Sequence, residues 1–370
     1  WNGTTDKVAP SKTVGGQTFG AIVTEKPAAI DGYTAVSADS KSLTIGTGKN
    51  VINFYYYQNV TLTANSGTAV YDGEEHSVSG FTSAPDGADF SAVTVGAKGT
   101  NVGTYPAQFQ EGTVGTVDAT EKYIVAEAKD GLLTITPVGG IVVTITGITD
   151  SRPYSGAEQF VTGYTVSTSN PLYTEADFTF TGTATAKGTD AGTYMMGLTP
   201  AQFENTNPNF ENVTFSVTDG ALTITPRSVK LTSATDEKVY DGQPLTNGVV
   251  TVSGDGFVKG EGAAYNVTGS QTNAGSSDNT FTYTLNTGTK ADNYVIETAE
   301  GTLTVTPMTA EVVVNIQGSK LSKVYNGAEQ SVTGYKVESI SNPLYTAADF
   351  AFSGTDSVTG TDAGTYMMGL

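Results

Sequence analysis

Apolar and polar residues alternate over short stretches of this chain and seldom recur at helical spacing. In "LTIT" (133–136) Leu133 and Ile135 share one face of an extended segment, and Thr134 and Thr136 share the other. The alternation returns in "ALTIT" from Ala221 and "TLTVT" from Thr302. Turn residues break the pattern at intervals of about 8 to 15 residues, which predicts roughly six or seven short strands per 80–85 residues and modules of sandwich or barrel type. "ATEKYIVAEAKDG" (119–131) has helix-forming composition, but it fills the slot taken later by "FENVTFSVTDG", so both read as strands. A single helical turn is expected in "PLYTEADF" and "PLYTAADF".

Three marks recur in fixed order. The first is Tyr-x-Gly, at Tyr71, Tyr154, Tyr240 and Tyr325, about 85 residues apart. The second is Asn or Asp, a small residue and Gly: "NVGTY" from Asn101, "DAGTY" from Asp190, "NAGSS" from Asn273, "DAGTY" from Asp362. The third is "DGLLTITP" from Asp130, "DGALTITP" from Asp219 and "EGTLTVTP" from Glu300. The first mark predicts a tight hairpin turn, since Gly accepts positive φ cheaply. The second reads as an Asx-type turn into a strand. In the third, Gly131, Gly220 and Gly301 fit a turn, and the proline ends the strand.

These marks divide the chain into 1–59, without any mark, and repeats at 60–139, 140–226, 227–308 and 309–370. Repeats two and four are the nearest pair and share "GTDAGTYMMGL" unchanged. Repeat four has no third mark and reads as truncated, which predicts an open core and an unpaired strand edge. Segment 1–59 contains two further strand candidates, "SLTIG" and "NVINFYYY", and reads as lacking its first strand at the Trp1 end.

Composition narrows the partners. Charged residues are 15% of the 370, against roughly 25% in ordinary soluble proteins. The net charge of −19 repels phosphate backbones and acidic lipid surfaces, so nucleic acid is not an expected partner. The absence of cysteine removes disulfides, thiolate metal sites and a cysteine nucleophile. No apolar run approaches the roughly 20 residues of a membrane span.

The "DGY", "LTI" and "NVINFYYY" elements of 1–59 resemble the mucin-binding-protein (MucBP) repeat, a β-grasp-like module of Gram-positive surface adhesins. The four later modules resemble the MBG and YDG repeats of large cell-wall proteins in gut Firmicutes, through Tyr71-Asp72-Gly73, Gly103-Thr104-Tyr105, Gly131 to Pro137 and their counterparts. The "DAGTY" turn also resembles the tyrosine corner of immunoglobulin-like sandwiches. The expected fold is therefore all-β: tandem small Ig-like sandwiches, with β-grasp as the alternative, in an elongated monomeric rod. The resemblance implies a secreted, cell-wall-anchored protein at the bacterial surface that meets host mucin or other glycans.

Candidate chemistry is sparse. The single histidine, His76, follows Glu74 and Glu75 beside a turn and reads as a surface residue. "IGTGKN" lacks the spacing of a phosphate loop. No catalytic, cofactor or metal site is expected. In "NFYYYQN" alternation would put Tyr55 and Tyr57 on one face, where they could stack on sugar rings. Surface proteins of the resembled class can carry Lys–Asn isopeptide crosslinks, for which Lys238 and Asn293 are the pair on offer. Three functions compete: an adhesin that contacts mucus or glycans, a structural spacer, and accessory modules of a large secreted enzyme.

Overall fold

The computed structural model describes residues 6–82 and 85–370. The expected defect at Trp1 falls outside them. The fold is all-β, built of many small sheets, with no α-helix among the described residues. The chain divides into two compact units, Trp1–Thr149 with Val161–Ala186 and Met195–Ala221, and Asp150–Phe160 with Lys187–Tyr194 and Leu222–Leu370.

In the first unit, Ile22–Glu25 pairs with Lys41–Thr44. The strand expected at "NVINFYYY" begins only at Tyr56 and runs to Ala64, continuous across residue 60. It is flanked by Tyr33–Ala35, antiparallel, and by Tyr123–Lys129, parallel. After a kink at Asn65 the chain continues as Gly67–Val70, which lies parallel to Gly131–Thr136 at the edge of a second, five-stranded sheet. Thus the opening strands of repeat one pair with its closing strands twice, once in each sheet. Leu133 and Ile135 are buried and their threonine neighbours are not, as the alternation predicts. Val60, Leu62, Phe90 and Val125 form one core cluster.

The same plan recurs in repeat two. Val142–Gly147 lies between Tyr164–Thr168, antiparallel, and Thr214–Thr218, parallel. Its inward residues Ile141, Val143 and Ile145 pack on Tyr173, Phe178, Phe203 and Phe210. The predicted helical turn is a 3-10 turn, Glu175–Asp177, closed by a capping box on Thr174.

In the second unit, Asp150–Pro153 lies parallel to Ala221–Thr225. Repeat three places Arg227–Ser233 between Val250–Gly254, antiparallel, and Tyr294–Ala299, parallel. Asp236–Val239 lies parallel to Thr302–Thr306. Repeat four contains two antiparallel pairs, Val314–Gly318 with Tyr335–Ile340 and Gln330–Thr333 with Ser357–Gly360, and no residue from 309 to 370 is buried.

Three expectations change. In the first three repeats the strands are shorter and more numerous than six or seven per repeat. Gly73, Gly156, Gly242 and Gly327 do take positive φ, from 75° to 84°. They do not make hairpins, however: Gly67–Val70 and His76–Ser79 lie at opposite edges of their sheet. Gly131, Gly220 and Gly301 are needed for close approach rather than for a turn. A Cβ on Gly220 would stand 2.5 Å from Ile148 O and 2.7 Å from Met196 Sδ, and one on Gly301 would stand 2.5 Å from Ser233 O. These glycines sit where opening and closing strands bend together from one sheet to the next, too close for any side chain.

Candidate functional site

Tyr55 and Tyr57 differ in exposure. Tyr55 precedes the strand and is 40% exposed, with Lys41 Nζ 5.6 Å from its ring centre. Tyr57 is half-buried and lies opposite Thr34. Between them Tyr56 is buried and donates from its hydroxyl to Ala28 O at 2.9 Å.

Lys238 and Asn293 are each occupied elsewhere. Lys238 Nζ donates to Asp241 Oδ1 and Gln243 O, both at 2.7 Å. Both polar atoms of the Asn293 amide are bound to the Asp190 turn. Neither group is directed at the other, which an isopeptide bond would require. His76 Nε2 lies 3.0 Å from Asp72 Oδ1 and so belongs to the turn. The Glu74 N–H, followed by His76, holds the Asp72 carboxyl below the usual range. Among the described residues no three metal-ligating side chains converge.

The most organised polar chemistry lies where one repeat meets the next. In the first unit, the "NVG" turn of repeat one meets Asn209 of repeat two. The Val102 N–H donates to Asn209 Oδ1 at 2.8 Å, and Asn209 Nδ2 donates to Asn101 Oδ1 at 3.0 Å. The next residue, Phe210, meets Tyr71 edge to face with ring centres 5.5 Å apart. In the second unit, the "DAG" turn of repeat two meets Asn293 of repeat three in the same way. The Ala191 N–H donates to Asn293 Oδ1 at 2.7 Å, and Asn293 Nδ2 donates to Asp190 Oδ1 at 3.0 Å. Tyr294 then meets Tyr154 edge to face at 5.6 Å. Each clamp therefore joins an Asn–aromatic pair to the preceding repeat's first and second marks. The asparagines are nearly fully buried, so each amide is held by partners that satisfy both its donor and its acceptor.

The clamps differ in charge. Asn101 is neutral, whereas Asp190 also accepts from Lys290 Nζ at 2.6 Å. The Asn293 amide and then Lys290 hold the Asp190 carboxyl below its ordinary value. Glu261 accepts from the Tyr154 hydroxyl at 2.5 Å and from the Tyr294 hydroxyl at 2.8 Å. Burial first, then the Glu261 carboxylate, push the Tyr154 hydroxyl up to about 12.

A tyrosine fixes the turn behind each clamp. Tyr105 donates from its hydroxyl to Asn101 O at 2.7 Å, and Tyr194 does the same to Asp190 O at 3.0 Å. Their rings lie on Gly99 and Gly188, where a Cβ would collide with them. This is the bond back to the upstream backbone that a tyrosine corner makes. Tyr366 repeats it with Asp362 O at 3.2 Å, over Gly360.

The repeat that takes part in both clamps spans the first strand at Val142 to the last at Thr225. Residues 141–226 match the MBG domain. No curated protein matches the chain. The MBG domain thus receives the second mark of repeat one through Asn209 and offers its own second mark, Asp190, to repeat three.

Sequence reasoning singled out Asn293 for covalent chemistry and passed over Asn209. The signal that would have joined them is an Asn followed by an aromatic residue, at the start of the penultimate strand region of the MBG domain and of repeat three.

Proposed function

We propose that this chain is the repeat region of a Gram-positive bacterial surface protein. In this reading it carries no catalytic site, is secreted and held at the cell wall, and works as a monomer that projects or mediates attachment to host mucin or other glycans. The observation that carries the proposal is the MBG domain at 141–226, a repeat module typical of bacterial surface proteins. Supporting it, repeats one and three share the domain's strand plan and marks, and the MucBP-like features of 1–59 add a mucin-facing element.

A spacer role is the second reading, favoured by where the recurring residues go. Tyr71, Tyr154, Tyr105 and Tyr194 serve junctions and corners rather than an open surface. For a glycan site, the exposed ring of Tyr55 is the contact we propose, with half-buried Tyr57 behind it.

The deciding experiment is retention on mucin-coated surfaces. The adhesin reading expects retention above that of an unrelated acidic β protein, growing with the number of tandem copies and reduced by Tyr55→Ala. Retention equal to that control leaves the spacer reading.

A further inference from the structure

Repeat three bends from one sheet to the next around a buried amide. At this bend the MBG domain has Met196, whose N–H donates to Gly220 O, and repeat three has Asn279, whose N–H donates to Gly301 O at 2.7 Å. The Asn279 side chain is fully buried. Its Nδ2 donates to Ala234 O and to Asn247 O, both at 2.9 Å. Its Oδ1 has no partner among the described residues. The amide thus depends on two carbonyls, one of them that of Asn247.

Asn247 precedes Gly248 in an irregular segment between Leu245 and the strand Val250–Gly254. Its side chain is tied on both sides. Nδ2 donates to Asp236 Oδ2 at 3.0 Å, and Oδ1 accepts from the Val249 N–H at 3.1 Å. The second bond folds the side chain back over the Asn247–Gly248 peptide. Gly248 is exposed, and its N–H makes no hydrogen bond among the described residues. A Cβ placed on Gly248 would meet nothing within 4 Å.

These are the parts of a ring closure. Asparagine before glycine is chemically labile, because a glycine nitrogen with no side chain beside it can reach the amide carbon. The Val249 N–H already sits on Oδ1, where negative charge gathers as the nitrogen adds. The bond from Gly248 N to Asn247 Cγ forms and the Cγ–Nδ2 bond breaks. Nδ2 departs as ammonia, carrying the proton that Gly248 gives up. Water then opens the cyclic imide at either carbonyl, and leaves a carboxyl at 247 on a normal or a lengthened (isoaspartyl) backbone.

We propose that Asn247 is a self-modification site whose conversion releases the bend of repeat three. The new carboxylate faces Asp236 where Nδ2 had donated, so like charges replace a hydrogen bond. Asp236 opens the strand Asp236–Val239, which leads into Tyr240. On the lengthened backbone the carbonyl that holds Asn279 leaves the main chain, and the buried amide loses one of its two acceptors. The release is one-way and needs no partner, so it marks the age of the folded repeat. Asn326–Gly327 lacks this link, since Asn326 is exposed and bonds only within its own turn. Asn2–Gly3 falls outside the described residues.

The test is to age the folded 370-residue chain in warm, mildly alkaline buffer and to map its peptides by mass spectrometry. An amide-to-acid mass gain is expected at Asn247, with normal and isoaspartyl products separated by chromatography. Gly248→Ala should slow the gain about tenfold, because a Cβ narrows the backbone rotation that the attack needs. Its exchange pattern should match the parent's, since that Cβ meets no atom. In the converted chain the Asn279 and Gly301 N–H groups should exchange about tenfold faster, the loss of one buried hydrogen bond. A denatured sample aged alongside times the reaction. Conversion there with Asn247 intact in the folded chain overturns the proposal. So does conversion that Gly248→Ala fails to slow, or conversion that leaves exchange at Asn279 and Gly301 unchanged.

Discussion

Asn209 and Asn101 meet amide to amide, Nδ2 of the first donating to Oδ1 of the second at 3.0 Å, although 108 positions separate them in the chain. Truncating Asn209 to Ala strands the Val102 N–H and one face of Asn101. The expected loss is about 1–3 kcal/mol, the usual cost of leaving buried polar groups unpaired. Chemical denaturation would read the total, and faster exchange of the Val102 N–H would localise it.

The two clamps should respond differently to an added charge. Asn209→Asp faces neutral Asn101, whose amide can turn to donate. Asn293→Asp faces the Asp190 carboxylate and loses the donor that now serves it. Asn293→Asp is therefore the more destabilising at pH 7, and Asp190→Asn in the same chain should restore much of the loss. A double-mutant cycle with no coupling between 190 and 293 would contradict the clamp geometry.

Glycine at the sheet-to-sheet bend should be the least replaceable. Gly220→Ala forces a Cβ against Ile148 O and Met196 Sδ, and should cost about 3 kcal/mol or more. Gly140→Ala meets no neighbouring atom and strains only a φ of 74°, at about 1–2 kcal/mol. Thermal unfolding of the two variants side by side gives the comparison.

Stability should fall at both extremes of pH, for separate reasons. Burial works against the charge of Asp118. The Thr120 hydroxyl and the N–H groups of Tyr123, Lys122 and Asp89 outweigh it and hold the carboxyl at about 2, against 3.8 when free. Its contribution is present above 3.8 and disappears as pH falls towards 2. At the other end, Tyr154 titrates at about 12 in the fold and at 10.0 when free. What it contributes is present below pH 10.0 and is lost as pH rises through about 12. Exchange at Tyr123–Lys129 in acid, and ultraviolet titration of Tyr154 against a Tyr154→Phe variant in alkali, would follow the two losses.

Strand faces were legible because alternation is local: Leu133, Ile135, Leu222 and Ile224 are all buried where their spacing put them. Pairing was not. The positive φ of Gly73 is a property of its own tripeptide, but which strands flank it in a sheet depends on segments far away in the chain. Gly301 misled for a related reason. Its constraint comes from Ser233 and Ala234, which nothing in "EGTLTVTP" announces. Asn293 was noticed as a nucleophile's target, while its actual partner, Asp190, lies in another repeat. In repeat three, where "NAGSS" departs from the tyrosine pattern, the bond to the turn carbonyl Asn273 O comes instead from Gln271 Nε2, at 2.7 Å. The departure was visible, but its substitute was not.

The parallel pairing of the first strand with the penultimate one has a mechanical consequence. Val142 faces Thr214 and Thr146 faces Thr218, both strands running the same way. In repeat three Arg227 faces Tyr294 and Thr232 faces Ala299. Tension on the two ends of such a repeat pulls one strand backwards and the other forwards along a shared axis. All the hydrogen bonds between them are then loaded in shear at the same moment, instead of opening one after another as in a zipper. The rupture force of a repeat is set by that whole row acting together, and a tether made of these repeats yields only when an entire row gives way.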